Sequence, residues 1–415
     1  LETHNKIKPS QELEGILASI YSHKATVLAN LLDYEEALKA HDRSIVISEG
    51  LLRGNTRAST VLRLAHMYIA KSTTLGRSGN YEQSGKLAKI ASKICQKHRK
   101  VLSTEESLRT LAICYNNEAN ALQALGMMKH ALRQYEKADT MYTSAGNNDN
   151  TRSQCKLAVL GMNRARALLQ IGQPNQALIN LDRSIRILEG QIKKYGRKEH
   201  EHELTIAFQH KAATLKFLNR TDEAMEFINR CLESREFYYH TSGLSETAYD
   251  LAVAYCEKGE ILTSMGKTPE ALEVFKKADQ FFDIRIKKNP DPQSYYHKGR
   301  CLMSAARVLF FGERYPEVKN IIQAAHKILK KVVVDYSRRE YAGDLAMAEV
   351  EELKTDYRLK LQSDSQLSNE SFLDKLESLM EQLNSEMLRT ARFDIKRSYR
   401  EALAFRDCLI ENPSG

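Results

Sequence analysis

The chain has no tryptophan, only seven prolines and only nineteen glycines among 415 residues. Proline and glycine both penalise helix interiors, so their scarcity favours long helices. Cysteine is also sparse. Cys95, Cys114, Cys155, Cys231, Cys256, Cys301 and Cys408 form no CxxC pair, and their number is odd. That pattern argues against a disulfide framework and reads as scattered small core residues in a reducing compartment. No apolar run approaches the ~20 residues needed to span a bilayer. The opening Leu1-Glu2-Thr3-His4 is too polar for a secretory leader. The expected location is therefore cytoplasmic. A first residue other than Met leads to the expectation that the chain is trimmed or part of something longer. The net charge of +9 is modest for this length. It allows an acidic partner without demanding nucleic acid.

A length of 415 residues exceeds what one core usually supports. A repeat architecture escapes that limit, because each unit packs on its neighbours. One phrase recurs: Leu17-Ala18-Ser19-Ile20-Tyr21, Leu64-Ala65-His66-Met67-Tyr68, Leu111-Ala112-Ile113-Cys114-Tyr115, Leu157-Ala158, Leu204-Thr205 and Leu251-Ala252-Val253-Ala254-Tyr255. The offsets are 47, 47, 46, 47 and 47. At the next step the phrase fails, reading Lys298-Gly299-Arg300, and it returns at Leu345-Ala346. A second phrase keeps the same beat through Tyr34-Glu35-Glu36-Ala37, Tyr81-Glu82-Gln83-Ser84, Met128-Lys129-His130-Ala131 and Pro174-Asn175-Gln176-Ala177. It continues through Thr221-Asp222-Glu223-Ala224, Thr268-Pro269-Glu270-Ala271 and Tyr315-Pro316-Glu317-Val318.

Each period reads as two helices. In the sixth, Leu251, Ala254, Tyr255, Ile261 and Leu262 fall near one helical face. Gly79, Gly126, Gly172, Gly266 and Gly312 stand where a left-handed C-cap would end the first helix. Pro269 lies in the first turn of the second helix, where a missing N–H costs nothing. Polar connectors follow, such as Asn147-Asn148-Asp149-Asn150 and Lys288-Asn289-Pro290-Asp291-Pro292.

Small residues where two helices cross, followed by a large residue and another small one, resemble the tetratricopeptide (TPR) signature. The sixth repeat carries it as Gly259, Leu262, Ala271, Phe275 and Ala278, and the third as Ala119, Leu122, Ala131, Tyr135 and Ala138. The resemblance covers roughly residues 10–335. The usual repeat is ~34 residues, so helices here are longer, and Tyr or Phe stands where Trp is usual. The extended repeat resembles a bacterial TPR class often joined to a caspase-like or trypsin-like peptidase, a kinase or an NTPase. The expected fold is all-α, a TPR-like right-handed superhelical solenoid of helical hairpins with C-terminal capping helices. Seven hairpins are expected over residues 1–335, then a degenerate eighth first helix and cap or docking helices over 336–415. Residues 339–361 read as that first helix without its second, and Ser363-Asp364-Ser365-Gln366 as a loop. Beyond it, Phe372, Leu373, Leu376, Leu379, Met380 and Leu383, then Phe393, Ile395, Tyr399, Leu403 and Phe405, mark amphipathic helices off the beat. They suit a cap, with docking or self-association as the alternative.

No GxxxxGK[ST], HExxH, GxSxG or GxGxxG motif occurs, so no enzyme activity and no cofactor are expected. Glu199-His200-Glu201-His202-Glu203 invites a metal reading, yet two His at i, i+2 do not share a helix face. Acidic residues at a helix start explain the run better. Cys256 or Cys301 with His297 could suggest a nucleophile and base, but core cysteine is the favoured reading. The basic clusters Lys97-His98-Arg99-Lys100, Lys193-Lys194-Tyr195-Gly196-Arg197-Lys198, Lys287-Lys288 and Lys330-Lys331 sit near ends of second helices. Cations there compensate the helix dipole. The alternative is a basic edge for acidic protein or RNA.

The TPR resemblance implies that first helices line a concave surface. Positions just off their packing face are Asn116, Asn120, Met162, Arg166, Gln209, Lys216, Glu260, Arg300 and Arg307. Amides can bond a peptide backbone and Arg can fork onto a carboxylate. The Lys and Asn arrangement of chaperone-tail binders is not reproduced. The reading is a non-enzymatic scaffold for a protein or peptide, with no metal and no membrane segment. A regulatory region of, or partner to, a larger effector such as a peptidase is one alternative. Nucleic-acid binding through the basic edge is the other.

Overall fold

The computed structural model describes residues 11–31, 33–145, 151–196, 200–242, 245–363, 369–390 and 392–411. The connector at 147–150, the loop residues Asp364–Gln366, the basic residues Arg197 and Lys198, and Glu199 of the metal reading lie outside them. Among the described residues every regular element is helical. The chain runs α1 (Gln11–Asn30), α2 (Tyr34–Gly54), α3 (Ala58–Ser78), α4 (Tyr81–Lys97), α5 (Thr104–Ala124), α6 (Met128–Ser144), α7 (Thr151–Gln170) and α8 (Pro174–Tyr195). It continues with α9 (Glu201–Phe217), α10 (Thr221–Ser242), α11 (Ser245–Ser264), α12 (Thr268–Lys288), α13 (Pro292–Phe311) and α14 (Tyr315–Val334). A 3₁₀ turn at Arg339–Tyr341 leads into α15 (Ala342–Ser363), α16 (Glu370–Thr390) and α17 (Phe393–Glu411). Contacts divide the chain into an N-terminal unit, residues 1–163, and a C-terminal unit, residues 164–415.

One turn geometry closes the first helix of seven hairpins. The N–H groups of Asp33, Asn80, Met127, Gln173, Arg220, Lys267 and Arg314 each donate to the carbonyl five residues earlier, at 2.8–3.1 Å. This closes the first helix with a six-to-one bond and delivers the chain directly into the second helix. The bond needs a residue of positive φ just before the donor. Gly79, Gly126, Gly172 and Gly266 supply it, as expected, with φ of 73–87°. Gly312 does not: its φ is −86°, and Glu313 takes the left-handed position at 57°. Asn219 does the same at 59° in the fifth repeat. Backbone hydrogen bonding thus sets the turn, and glycine is its cheapest residue.

Small residues set the helix crossings. Ala18, Ala65, Ala112, Ala158, Ala252 and Ala346 are buried, and so are Ala37, Ala131, Ala177, Ala224 and Ala271 on the second helices. Gly299 continues the first column where the phrase breaks off. A Cβ there would lie 2.8 Å from Leu329 Cγ, so the repeat persists with its small residue reduced to glycine. Gly259 is pressed likewise against the Phe275 ring, at 2.7 Å.

The end of the chain departs from the beat. Second helices begin at Tyr34, Tyr81, Met128, Pro174, Thr221, Thr268 and Tyr315, but α16 begins at Glu370, 55 residues after Tyr315. It packs on α15, and α17 packs on both α15 and α16. Leu376, Leu383, Ile395, Ala402 and Leu409 are fully buried in one core with α13, α14 and α15. Tyr357 bridges Phe372 and Phe405, each with ring centroids 5.4 Å away. Ile395 reaches α15 only because Gly343 is there; a Cβ at Gly343 would come within 2.6 Å of Ile395 Cδ1.

Candidate functional site

The first helices are joined along one face by polar bridges with a simple arithmetic. Matching positions on neighbouring first helices lie 46 or 47 residues apart, so a residue one turn earlier on the next helix lies about 44 positions on. In the N-terminal unit this step joins Arg63 to Ser19 at 3.2 Å and Asn117 to Thr73 at 3.2 Å. In the C-terminal unit it joins Lys216 to Glu260, Glu260 to Ser304, Arg300 to Asp344, and Arg307 to Glu351.

The expected site residues fall into these two settings. In the N-terminal unit Asn116 accepts a bond from Asn163 Nδ2 at 3.4 Å, and Asn120 accepts from the Tyr135 hydroxyl at 2.6 Å. Both amides are half-buried and already engaged. Met162 is 4% exposed, inside the core rather than on the face, and so is withdrawn from contact with a ligand. Its position one residue before the bonded Asn163 turns it inward.

In the C-terminal unit Arg166 is exposed and Gln209 half-buried. Lys216 bridges Glu257, at 2.7 Å, and Glu260. Burial pushes the Glu257 carboxyl up and Lys216 only partly offsets it, whereas Lys216 and Arg300 overcome the same burial at Glu260 and hold it down at about 2. Two carboxylates thus share one ammonium, and the second is the firmly ionised partner. Burial also lowers His210 to about 3 and His297 to about 4, with the positive charges of Arg166 and Arg300 adding to it. Both imidazoles are neutral at physiological pH.

Arg300 belongs to a denser cluster. Asp344 is fully buried at the start of α15 and accepts from Arg300 Nη1 at 2.7 Å. It also accepts two bonds from Arg392, at 2.7 and 3.0 Å, and the Tyr296 hydroxyl lies 3.3 Å away. Asp394 completes a ring of charges, bonded to Arg300 at 3.0 Å and to Arg392 at 2.7 and 3.0 Å. Burial alone would raise both carboxyls, but the two guanidiniums outweigh it and hold both below the usual range. Between Arg392 and Asp394, the Phe393 ring meets Phe217 edge-on at 5.1 Å. It also lies over Gly172, where a Cβ would stand 3.3 Å from its Cδ2. The corner between α16 and α17 therefore crosses the first-helix side of its unit, from the α7–α8 turn to α15.

Glu257, Asp344, Arg392 and Asp394 were not singled out in the sequence, and Phe393 was read only as part of an amphipathic helix. The 44-residue step would have found Asp344 from Arg300 and Glu351 from Arg307. Nothing in the sequence marks the corner, which arrives through the off-beat helices.

His200 Nδ1 lies 4.0 Å from Glu203, and no group of three or more metal-ligating side chains gathers among the described residues. The His297 ring packs edge-on against Tyr249 and Tyr296, while the half-buried Cys256 thiol lies against Cys301. Lys97, Lys193, Lys194, Lys287, Lys288 and Lys331 occupy last turns of second helices. No helix of the described residues is long and apolar enough to cross a membrane.

The family model of the tetratricopeptide repeat matches residues 207–238, which are the C-terminal part of α9, its turn and most of α10. No curated protein matches the chain. Among solved structures, Rap protein complexed with Competence and Sporulation Factor is similar over 96% of this chain and 99% of its own, with TM-score 0.54 and 13% identity. NprR in complex with its cognate peptide NprX matches over 96% and 99%, with TM-score 0.52 and 14% identity. The apo quorum sensor NprR from B. thuringiensis matches over 93% and 97%, with TM-score 0.53 and 14% identity. At such identities the likeness is one of fold. Helical hairpins closed by one repeated turn, small residues at their crossings and the matched repeat at 207–238 give this chain a tetratricopeptide-like fold.

Proposed function

We propose that the chain is a non-enzymatic, peptide-binding regulator or scaffold whose ligand lies on the first-helix face of the C-terminal unit. One observation carries this reading: successive first helices offer a continuous line of polar and charged groups, from Arg166 and Gln209 through Lys216 and Glu260 to Arg300 and Arg307. A face assembled from one or two residues per repeat suits an extended ligand, which meets each repeat in turn. Two proteins of similar fold over nearly their whole lengths, Rap and NprR, were solved with a factor or peptide bound. The chemistry favours a ligand with charges of both signs, since the face holds both Lys216 with its carboxylates and the arginines. This narrows the expectation of an acidic partner drawn from net charge.

The test is a random peptide library panned on the full chain, followed by photo-crosslinking of the selected peptides. Benzoylphenylalanine at Gln209 on α9 should trap them, and the same probe at Gln280 on the second helix α12 should not. Trapping from Gln280 alone, or a library yielding no binder while an RNA pool is retained, would remove the reading.

A further inference from the structure

The α16–α17 corner shows what this face accepts. Its three side chains in sequence go to three separate receptors. Arg392 forks onto Asp344, Phe393 lies against Phe217 and Gly172, and Asp394 meets Arg300. The receptors come from the α7–α8 turn, α9, α13 and α15. We propose that Arg392-Phe393-Asp394 is a built-in occupant of the site, and that the ligand is a peptide presenting the same run: a basic residue, an aromatic ring and a carboxylate. This rests on the peptide-binding reading above and gives it a ligand chemistry.

Capping does not require these contacts. Leu376, Leu383, Ile395, Ala402 and Leu409, all fully buried, already cover α15. By contrast Phe393 is 37% exposed and Phe217 40%. A ring pair that wet is held loosely beside an aliphatic core, because stabilisation follows the apolar area removed from water. The receptor also survives departure of the corner. Arg300 stays on Asp344 at 2.7 Å, so the carboxylate keeps one partner and turns its other oxygen to an incoming guanidinium. A planar fork on a buried carboxylate is the geometry that selects arginine over lysine. Gly172, with φ of 77°, leaves the space into which the ring fits.

The probe is a fluorescein-labelled synthetic peptide spanning residues 387–397, read by anisotropy against the full chain. The intact chain should bind it weakly. The Arg392→Ala/Phe393→Ala/Asp394→Ala variant, with its corner emptied, should bind it at least tenfold more tightly. Adding Phe217→Ala or Asp344→Asn to that variant should abolish the gain, as should exchanging Arg and Asp within the peptide. A folded triple variant that binds no better than the intact chain overturns the proposal. If the triple variant does not fold, hydrogen exchange on the intact chain decides. Corner amides that open well before the centres of α16 and α17 support an exchangeable occupant, and amides that open only with them refute it. Library peptides lacking the run but trapped at Gln209 would sink this proposal while leaving the broader reading intact. An emptied face that holds neither kind of peptide would sink both.

Discussion

In the N-terminal unit the bridges between first helices are largely neutral: Asn163 to Asn116, Asn117 to Thr73, and Arg63 to a serine hydroxyl. In the C-terminal unit the same steps carry Lys216 with two glutamates, Arg307 with Glu351, and Arg300 with a fully buried aspartate. The difference lies in what water can replace. A half-exposed amide bond exchanges with solvent and contributes about 0.5–1.5 kcal/mol net. A buried charge cannot be released to water that way, since losing its partner leaves the full desolvation cost behind unless another charge replaces it. One repeat geometry therefore supports a tolerant face in one unit and a committed face in the other.

The comparison breaks most readily at Asp344. Asp344→Ala removes the fully buried carboxylate and leaves Arg300 and Arg392 to share Asp394. The expected loss is ~3–5 kcal/mol of unfolding free energy, measured by urea titration of the full chain. A loss below about 1 kcal/mol would mean that solvent reaches the cluster, and the contrast between units would fail.

Acid sharpens it next. His297 is held neutral by burial and by Arg300, with a pKa near 4 against 6.5 for a free imidazole. The unfolded chain binds the proton first, so this contribution is complete above about pH 6.5 and declines as the pH falls toward 4. Asp344 and Asp394 stay ionised across that window, because their pKa values lie below the usual range. Glu257, raised by burial, acts in the opposite direction but equally in both proteins compared. His297→Gln should therefore lose less stability than the parent between pH 7 and pH 5, by on the order of 2 kcal/mol. Parallel profiles for the two proteins would count against a neutral buried imidazole.

The smallest effect belongs to the N-terminal unit. Asn163→Ala removes a 3.4 Å bond between half-buried amides and should lower stability by about 0.5–1.5 kcal/mol. A thermal melt showing a loss as large as that of Asp344→Ala would erase the distinction.

Much of the architecture was legible because it repeats. The phrases around Ala65, Ala112 and Ala252 and those around Ala131 and Ala271 mark crossings that only small residues permit. The lapse at Lys298-Gly299-Arg300 was misleading, since glycine there is the small residue carried to its limit against Leu329. Gly312 misled in the other direction: Glu313 took the left-handed turn instead. Among the site residues, Lys216, Glu260, Arg300 and Arg307 could be read as off the packing face, but their partners could not. Met162 sat one residue from the exposed edge, where helical phase alone does not separate inward from outward.

The sequence by itself determined the hairpins, their turns and the order in which they pack, because each rests on contacts within one repeat or with the next. Tertiary structure alone decided that Arg392, Phe393 and Asp394 meet residues up to 221 positions away at Gly172. The reason is physical. The helices α16 and α17 leave the 47-residue beat, and the place where their corner lands depends on how they pack over α15, a choice that no local pattern encodes.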